Sequence, residues 1–247
     1  MQAGLENKTV LVTGGATRIG ASIARECHDA GAMVFIHYRN SEVPAQQLTG
    51  ELNAIRNKSA VAIRADLQDP QAPAALLEKV RNHSGRLDVL VNNAADFFAT
   101  PLGSVSQDDW DRLVGSNLRA PLFLSQAFRP LLKESNGLIL NILDIHAEKP
   151  LAGHSVYCIA KAGLSMLTRS LALDLAPEIR VNGIAPGAIL WPTQGMPAKE
   201  KDAIISQTPL GRTGEVSDIA SLAVFLATDA GYITGQVIAV DGGRSLV

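Results

Sequence analysis

TVLVTGGATRIG, residues Thr9–Gly20, decides the fold. A short aliphatic run ends in the glycine turn Thr13-Gly14-Gly15-Ala16-Thr17-Arg18-Ile19-Gly20 and passes into a helical pattern over Ile19–Ala30. A strand that is apolar on both faces belongs inside a parallel sheet, where helices cover each side. The same grammar recurs downstream. Candidate strands are Thr9–Thr13, Met33–His37, Ala60–Arg64, Val89–Asn92, Leu138–Leu143, Arg180–Ile184 and Val237–Val240. Helical patterns lie between them at Ala72–His83, Pro121–Glu134, Ser155–Leu175 and Val216–Ala227. This alternation predicts an α/β fold: a Rossmann-type doubly wound parallel sheet of about seven strands with helices on both faces. No Gly-, Ser- or Pro-rich boundary and no repeat divides the chain, so a single domain over 1–247 is expected.

Bulk properties narrow the class. The net charge of -2 leaves no basic stripe for nucleic acid, and aromatic residues are few. The start, MQAGLENKTVLV, lacks the cationic and long apolar regions of a secretory signal, and no apolar run is long enough to span a membrane. Cys27 and Cys158 suit neither a zinc site nor a disulfide framework, so no metal is expected. The expectation is a soluble cytoplasmic protein.

Glycines in a turn between the first strand and its helix let backbone N–H groups approach a pyrophosphate, and the helix N-terminus adds a favourable partial charge. Alone, such a turn is also an ordinary strand–helix connection. The end of the second strand indicates which dinucleotide is bound. An acid there would hold ribose hydroxyls, but this chain reads His37-Tyr38-Arg39-Asn40-Ser41, with no carboxylate before Glu42. Arg39 and Ser41 can hold a 2′-phosphate, and Arg18 can reach the same region or the pyrophosphate. NADP(H) is therefore expected over NAD.

The chemistry-bearing set lies in NILDIHAEKPLAGHSVYCIAKAGL, residues 141–164. Tyr157 and Lys161 are four apart on a helical pattern and share a face. An ammonium beside a phenol favours the phenolate, making the tyrosine a proton donor and acceptor near neutral pH. Asp144 precedes them, readable either as a proton-handling acid or as a strand-end turn residue.

These residues resemble the short-chain dehydrogenases/reductases over nearly the whole chain. The landmarks are Thr13–Gly15, Asp66-Leu67, Asn92-Asn93-Ala94, Asn117, Tyr157-x-x-x-Lys161, Pro186-Gly187 and Asp241-Gly242-Gly243. The resemblance implies that Asp66 contacts adenine, Asn93 supports the cofactor-side loop and Lys161 binds the nicotinamide ribose. It also implies that Asn117 kinks its helix and helps hold a proton-relay water. Gly14, Ile19, Gly20, Tyr38, Asn40, Leu67, Ala94, Pro186 and Gly187 complete the expected cofactor site. Two departures narrow the match: Arg18 replaces the middle glycine of TGxxxGxG, and Asp144 stands where most members have serine, about thirteen residues before the tyrosine. With HYRNS and Phe97 in NNAADFFATPL, they resemble the pteridine reductases of bacterial type. That subgroup implies reduction of 7,8-dihydropterins (dihydrobiopterin, dihydromonapterin or dihydrofolate) by NADPH. Antifolates, which present the same flat hydrogen-bonding edge, are expected as inhibitors, and the wider family implies a homotetramer. Trypanosomatid members differ in reading HYHRS, and in carrying a pterin-contacting serine where this chain has Ala95, followed by Asp96.

An acid suits a C=N substrate, whose ring nitrogen must be protonated as hydride reaches the adjacent carbon. Phe97 is either a stacking wall for the flat heterocycle, with Phe98 turned the other way, or core. Arg18 would meet the pterin edge. The segment 187–208, with Trp191, Pro192, Met196 and Pro197, is expected to be a substrate-covering loop with a short helix. Trp191 and Met196 either line the pocket or pack within that loop. His146, His154 and Cys158 are assigned no chemistry. The competing readings are a carbonyl reductase of 3-oxoacyl or ketone type, and a redox-inactive NADPH-binding regulator.

Overall fold

The computed structural model describes residues 4–191 and 195–247. Its strands are β1 (Thr9–Val12), β2 (Met33–Tyr38), β3 (Ala60–Arg64), β4 (Val89–Asn92), β5 (Leu138–Ile142), β6 (Arg180–Pro186) and β7 (Val237–Val240). They form one sheet in the order β3-β2-β1-β4-β5-β6-β7, with every neighbouring pair parallel. The order reverses between β1 and β4, which opens a crevice beyond the strands' carboxyl ends.

Side chains alternate across the sheet and feed two cores. On one face Val10, Val12, Val34 and Ile36 meet residues of α1 (Arg18–Asp29), α2 (Glu42–Ile55) and α8 (Val216–Thr228), such as Ile23, Leu48 and Ile219. On the other, Leu11, Phe35 and Leu90 meet α3 (Ala72–Ser84) and α5 (Ala120–Glu134) through Leu76, Val80, Leu124 and Phe128. Each fully buried aliphatic or aromatic side chain contributes about 1.5–3 kcal/mol against exposure.

The sequence reading needs several corrections. Helices α2 and α4 (Gln107–Val114) lie where none was expected. A π-helical turn at Gly115–Arg119 joins α4 to α5 and contains Asn117. β6 continues to Pro186, beyond the expected Ile184, because β7 pairs with it to the end (Pro186 opposite Val240). The late loop does carry a short helix, α7 (Ala198–Ser206); Pro192, part of the same expectation, lies outside the described residues.

A buried polar chain fixes α6 (Ser155–Asp174) on the sheet. Asn92 Nδ2 donates to Asn141 Oδ1 at 2.9 Å, and Asn141 Nδ2 donates to Thr168 Oγ1 at 2.9 Å. All three side chains are buried, so each bond is made in low dielectric and an orphaned partner is costly. Asn141→Ala should therefore lower stability by about 3 kcal/mol, read as a reduced urea midpoint at unchanged slope. An unaltered midpoint would show that this chain does not hold α6 in place.

Candidate active site

The crevice is a cleft of about 720 Å³ that runs from the ends of β2 and β3 to the late loop. Gly14, Arg18, Ile19 and Gly20 form its floor; Tyr38, Arg39, Asn40, Ser41, Asp66 and Leu67 line one end. Asn93, Ala94, Phe97, Asp144, Tyr157, Lys161, Pro186, Gly187, Trp191 and Met196 line the remainder. Of the residues singled out from sequence as site residues, Asn117 alone lies behind the wall. It donates from Nδ2 to the carbonyls of Asp96 and Leu113 at 2.9 Å each, and its buried Oδ1 has no partner among the described residues.

The glycine turn is locked internally. Gly14 has φ +59, and a Cβ there would sit 3.0 Å from Ala94 Cα; a Cβ on Gly20 would fall 2.3 Å from the Gly14 carbonyl oxygen. Only glycine tolerates this approach of α1 to the turn. The Gly14 and Gly15 amides are already spent, on His37 Nδ1 at 3.1 Å and the His37 carbonyl at 2.9 Å. Asn93 Nδ2 donates to the Thr13 and Gly14 carbonyls, so Asn93 acts through the turn it holds. The first α1 amides, at Arg18, Ile19 and Gly20, make no hydrogen bond among the described residues. These are the N–H groups that fit a pyrophosphate, rather than those of the glycines.

His37 is a positioning residue that sequence reasoning missed. Its ring is buried, with Nδ1 accepting from Gly14 and Nε2 facing the Ala65 carbonyl at 3.1 Å. That pairing requires the neutral Nε2–H tautomer. Burial lowers its pKa to about 4. The signal was the place of His37 at the inward-facing end of β2, but its partners come from other strands.

At the opposite end, Asp144 and Tyr157 meet. Tyr157 Oη donates to Asp144 Oδ2 at 2.8 Å, while Asp144 Oδ1 accepts the His146 amide at 2.9 Å and starts the 3-10 turn Ile145–Ala147. Asp144 is thus a strand-end turn residue whose second carboxylate oxygen is bound to the Tyr157 hydroxyl. The expected lowering of the phenol's pKa by Lys161 is reversed: burial and the adjacent Asp144 push Tyr157 well above its ordinary value. The Lys161 ammonium lies 5.8 Å from the Tyr157 ring centroid and donates to the Ile142 carbonyl at 2.9 Å. Its complete burial lowers its pKa to about 8, partly opposed by Asp144.

Phe97 is a cleft residue, half-exposed, with its ring edge-on to Tyr157 at 4.8 Å and stacked on His154 at 4.8 Å and 10°. His154 thereby joins the aromatic wall. Phe98 turns away into a cluster with Leu113 and Val156. Arg18 Nη1 donates to the Trp191 carbonyl at 3.4 Å, tying the floor to the late loop. Arg39 contacts Asp96 Oδ1 at 3.5 Å, a carboxylate delivered by β4 that the local reading of β2 could not foresee.

A stability consequence follows from His37. Its unfolded pKa is near 6.5 and its folded value about 4, so the unfolded chain binds more protons between those limits. Stability is complete above about pH 6.5 and falls by about 3 kcal/mol as pH drops to 4. In urea titrations at stepped pH, His37→Gln should show a shallower decline than the parent across this window. Parallel curves would contradict the assignment.

A family model described as enoyl-(acyl carrier protein) reductase matches residues 14–245. Pteridine reductase 1 of Leishmania tarentolae is 37% identical, covering 96% of each chain. A 3-oxoacyl-(acyl carrier protein) reductase of Staphylococcus aureus is 35% identical over 96% of this chain and 97% of its own. A (2S)-[(R)-hydroxy(phenyl)methyl]succinyl-CoA dehydrogenase subunit of Thauera aromatica is 35% identical over 98% of both. With one parallel seven-stranded sheet, a glycine turn after β1 and Tyr157 and Lys161 on α6, the chain belongs to the short-chain dehydrogenase/reductase family of nicotinamide-dependent oxidoreductases.

Proposed function

We propose that this protein is an NADPH-dependent reductase of 7,8-dihydropterins. The observation that carries the reading is the 2.8 Å bond from Tyr157 Oη to Asp144 Oδ2, beside the half-exposed ring of Phe97. Reduction of C=O and of C=N each takes up one proton with the hydride. The imine nitrogen is the more basic atom and is activated by protonation, so a carboxyl group beside the phenol suits C=N better than a serine hydroxyl would. An acid–phenol pair holds that proton, and a flat aromatic wall suits a flat heterocycle. The likeness to a pteridine reductase over nearly the whole chain supports the same substrate class.

The residues present fit the cofactor. The unpaired amides of Arg18, Ile19 and Gly20 would take the pyrophosphate, with Arg18 beside them. Arg39, Asn40 and Ser41 would take the 2′-phosphate. Ser41 starts α2 with its hydroxyl unused in capping, so a helix N-terminus also faces that anion. Asp66 and Leu67 would border adenine, and Lys161 would hold the nicotinamide ribose. NADPH bound in this way supplies the hydride. Tyr157, kept protonated by burial and by Asp144, passes the shared proton to the ring nitrogen as the adjacent carbon is reduced; one hydride and one proton turn C=N into CH–NH. Asn117, through its orphaned Oδ1, would hold a water that returns a proton to the pair.

The same reading makes the protein a homotetramer, supported by exposed Phe123, Ile159, Met166 and Leu173 on α5 and α6. Diaminopteridine antifolates, with their flat hydrogen-bonding edge, should compete with substrate.

The equally similar 3-oxoacyl reductase makes substrate choice the decisive test. NADPH should be consumed with dihydrobiopterin or dihydrofolate and not with acetoacetyl thioesters; the reverse pattern would make the protein a carbonyl reductase. Asp144→Ser should depress pterin turnover at neutral pH by about 100-fold or more, with little change in NADPH affinity. Undiminished turnover would remove Asp144 from proton delivery. Arg39→Ala should weaken NADPH binding at least about tenfold while barely changing NADH binding, as titration of cofactor fluorescence would show. Equal losses for both cofactors would refute the 2′-phosphate assignment.

A further inference from the structure

Three carboxylates line the cleft and each is engaged. Asp66 Oδ1 accepts the Gln68 amide, Asp96 contacts Arg39, and Asp144 takes the Tyr157 hydroxyl and the His146 amide. Among the lining cations, Lys161 is spent on Ile142, Arg39 faces Asp96, and Arg18 reaches the Trp191 carbonyl. Arg244 also lines the cleft, half-buried, and its guanidinium makes no hydrogen bond or ion pair among the described residues.

Its place is fixed by the backbone around it. Asp241 accepts the Gly243 and Ser245 amides at 2.9 and 2.7 Å, which pins the turn carrying Arg244. The Arg244 carbonyl faces Lys149 Nζ at 3.4 Å, the Lys149 carbonyl faces His146 Nδ1 at 2.8 Å, and the His146 amide is bound by Asp144. Arg244 therefore stands on the Asp144 side of the cleft, away from the Arg39 end where the cofactor's phosphate would lie. Gly242 and Gly243 pack on Thr208 and Pro209, so the same turn closes the late loop's far end.

A cation carried on a fixed turn, with no partner for its guanidinium among the described residues, fits an oxyanion carried on the substrate. We infer that Arg244 anchors an anionic group on the substituent of the reduced ring, a carboxylate or a phosphate, so that the enzyme prefers dihydropterins with a charged tail over those with a neutral one. This rests on the dihydropterin reading and names the substrate class within it.

The test compares kcat/KM for dihydrofolate (carboxylate tail), dihydroneopterin phosphate (phosphate tail) and dihydrobiopterin (neutral tail) in the parent, Arg244→Gln and Arg244→Lys enzymes. In Arg244→Gln the ratio of at least one charged substrate to dihydrobiopterin should fall about tenfold or more, through KM, and Arg244→Lys should recover much of it. A fall confined to dihydrofolate assigns the site to carboxylates, and one confined to the phosphate assigns it to phosphomonoesters. Unchanged ratios in an enzyme that reduces dihydropterins overturn the anchor alone. A parent enzyme that reduces none of the three overturns the dihydropterin reading, and the anchor with it.

Discussion

The bond from the Lys161 ammonium to the Ile142 carbonyl ties the buried start of α6 to the carboxyl end of β5. The candidate site hangs on that junction. Tyr157 lies one helical turn before Lys161, and Asp144 lies two residues beyond Ile142, so joining helix to strand here brings phenol and acid together. Deeper in the same seam, the Asn92–Asn141–Thr168 chain sets the lateral position of α6 across β4 and β5. A hydrophobic seam would allow the helix to slide with small loss; hydrogen bonds in low dielectric do not.

Burial of that junction also selects the protonation states. A lysine taken wholly out of water has its pKa drawn down towards about 8, yet remains mainly cationic at neutral pH. The phenol moves in the opposite sense to one activated by a neighbouring ammonium, because burial penalises the phenolate and the adjacent carboxylate of Asp144 repels it. A phenol held neutral beside an acid is prepared to give a proton. A phenolate beside an ammonium would be prepared to take one. The aspartate thus favours the neutral phenol, on electrostatic grounds that do not depend on which substrate occupies the cleft.

Much of this was legible in sequence, for identifiable reasons. Strands apolar on both faces have no other home than a sheet with helices on each side, so all seven could be placed within a residue or two. α2 escaped notice because Pro44 sits in its first turn and Gly50 in its interior, which blurs the helical period. α4 did carry a signal: Ser106 and Asp109 form a reciprocal capping box, readable as S-x-x-D. The π-turn around Asn117 has no comparable local signature. His37 and Asp96 were missed for a different reason. Their roles depend on partners brought from other strands and turns, and sequence spacing carries no information about those.

Arg18 shows the cost of the departure from the family's glycine pattern. It has φ +55, in the left-handed region where glycine is free and other residues lose about 1–2 kcal/mol. The chain keeps an arginine there although the turn's geometry asks for none. The side chain reaches across the cleft to the Trp191 carbonyl, and no ion pair among the described residues offsets the backbone strain. Strain retained at a cleft-lining position, against a single long hydrogen bond to the Trp191 carbonyl among the described residues, is the kind stored at functional sites. Arg18 and Arg244 line the same cleft, each a cation with no acidic partner among the described residues.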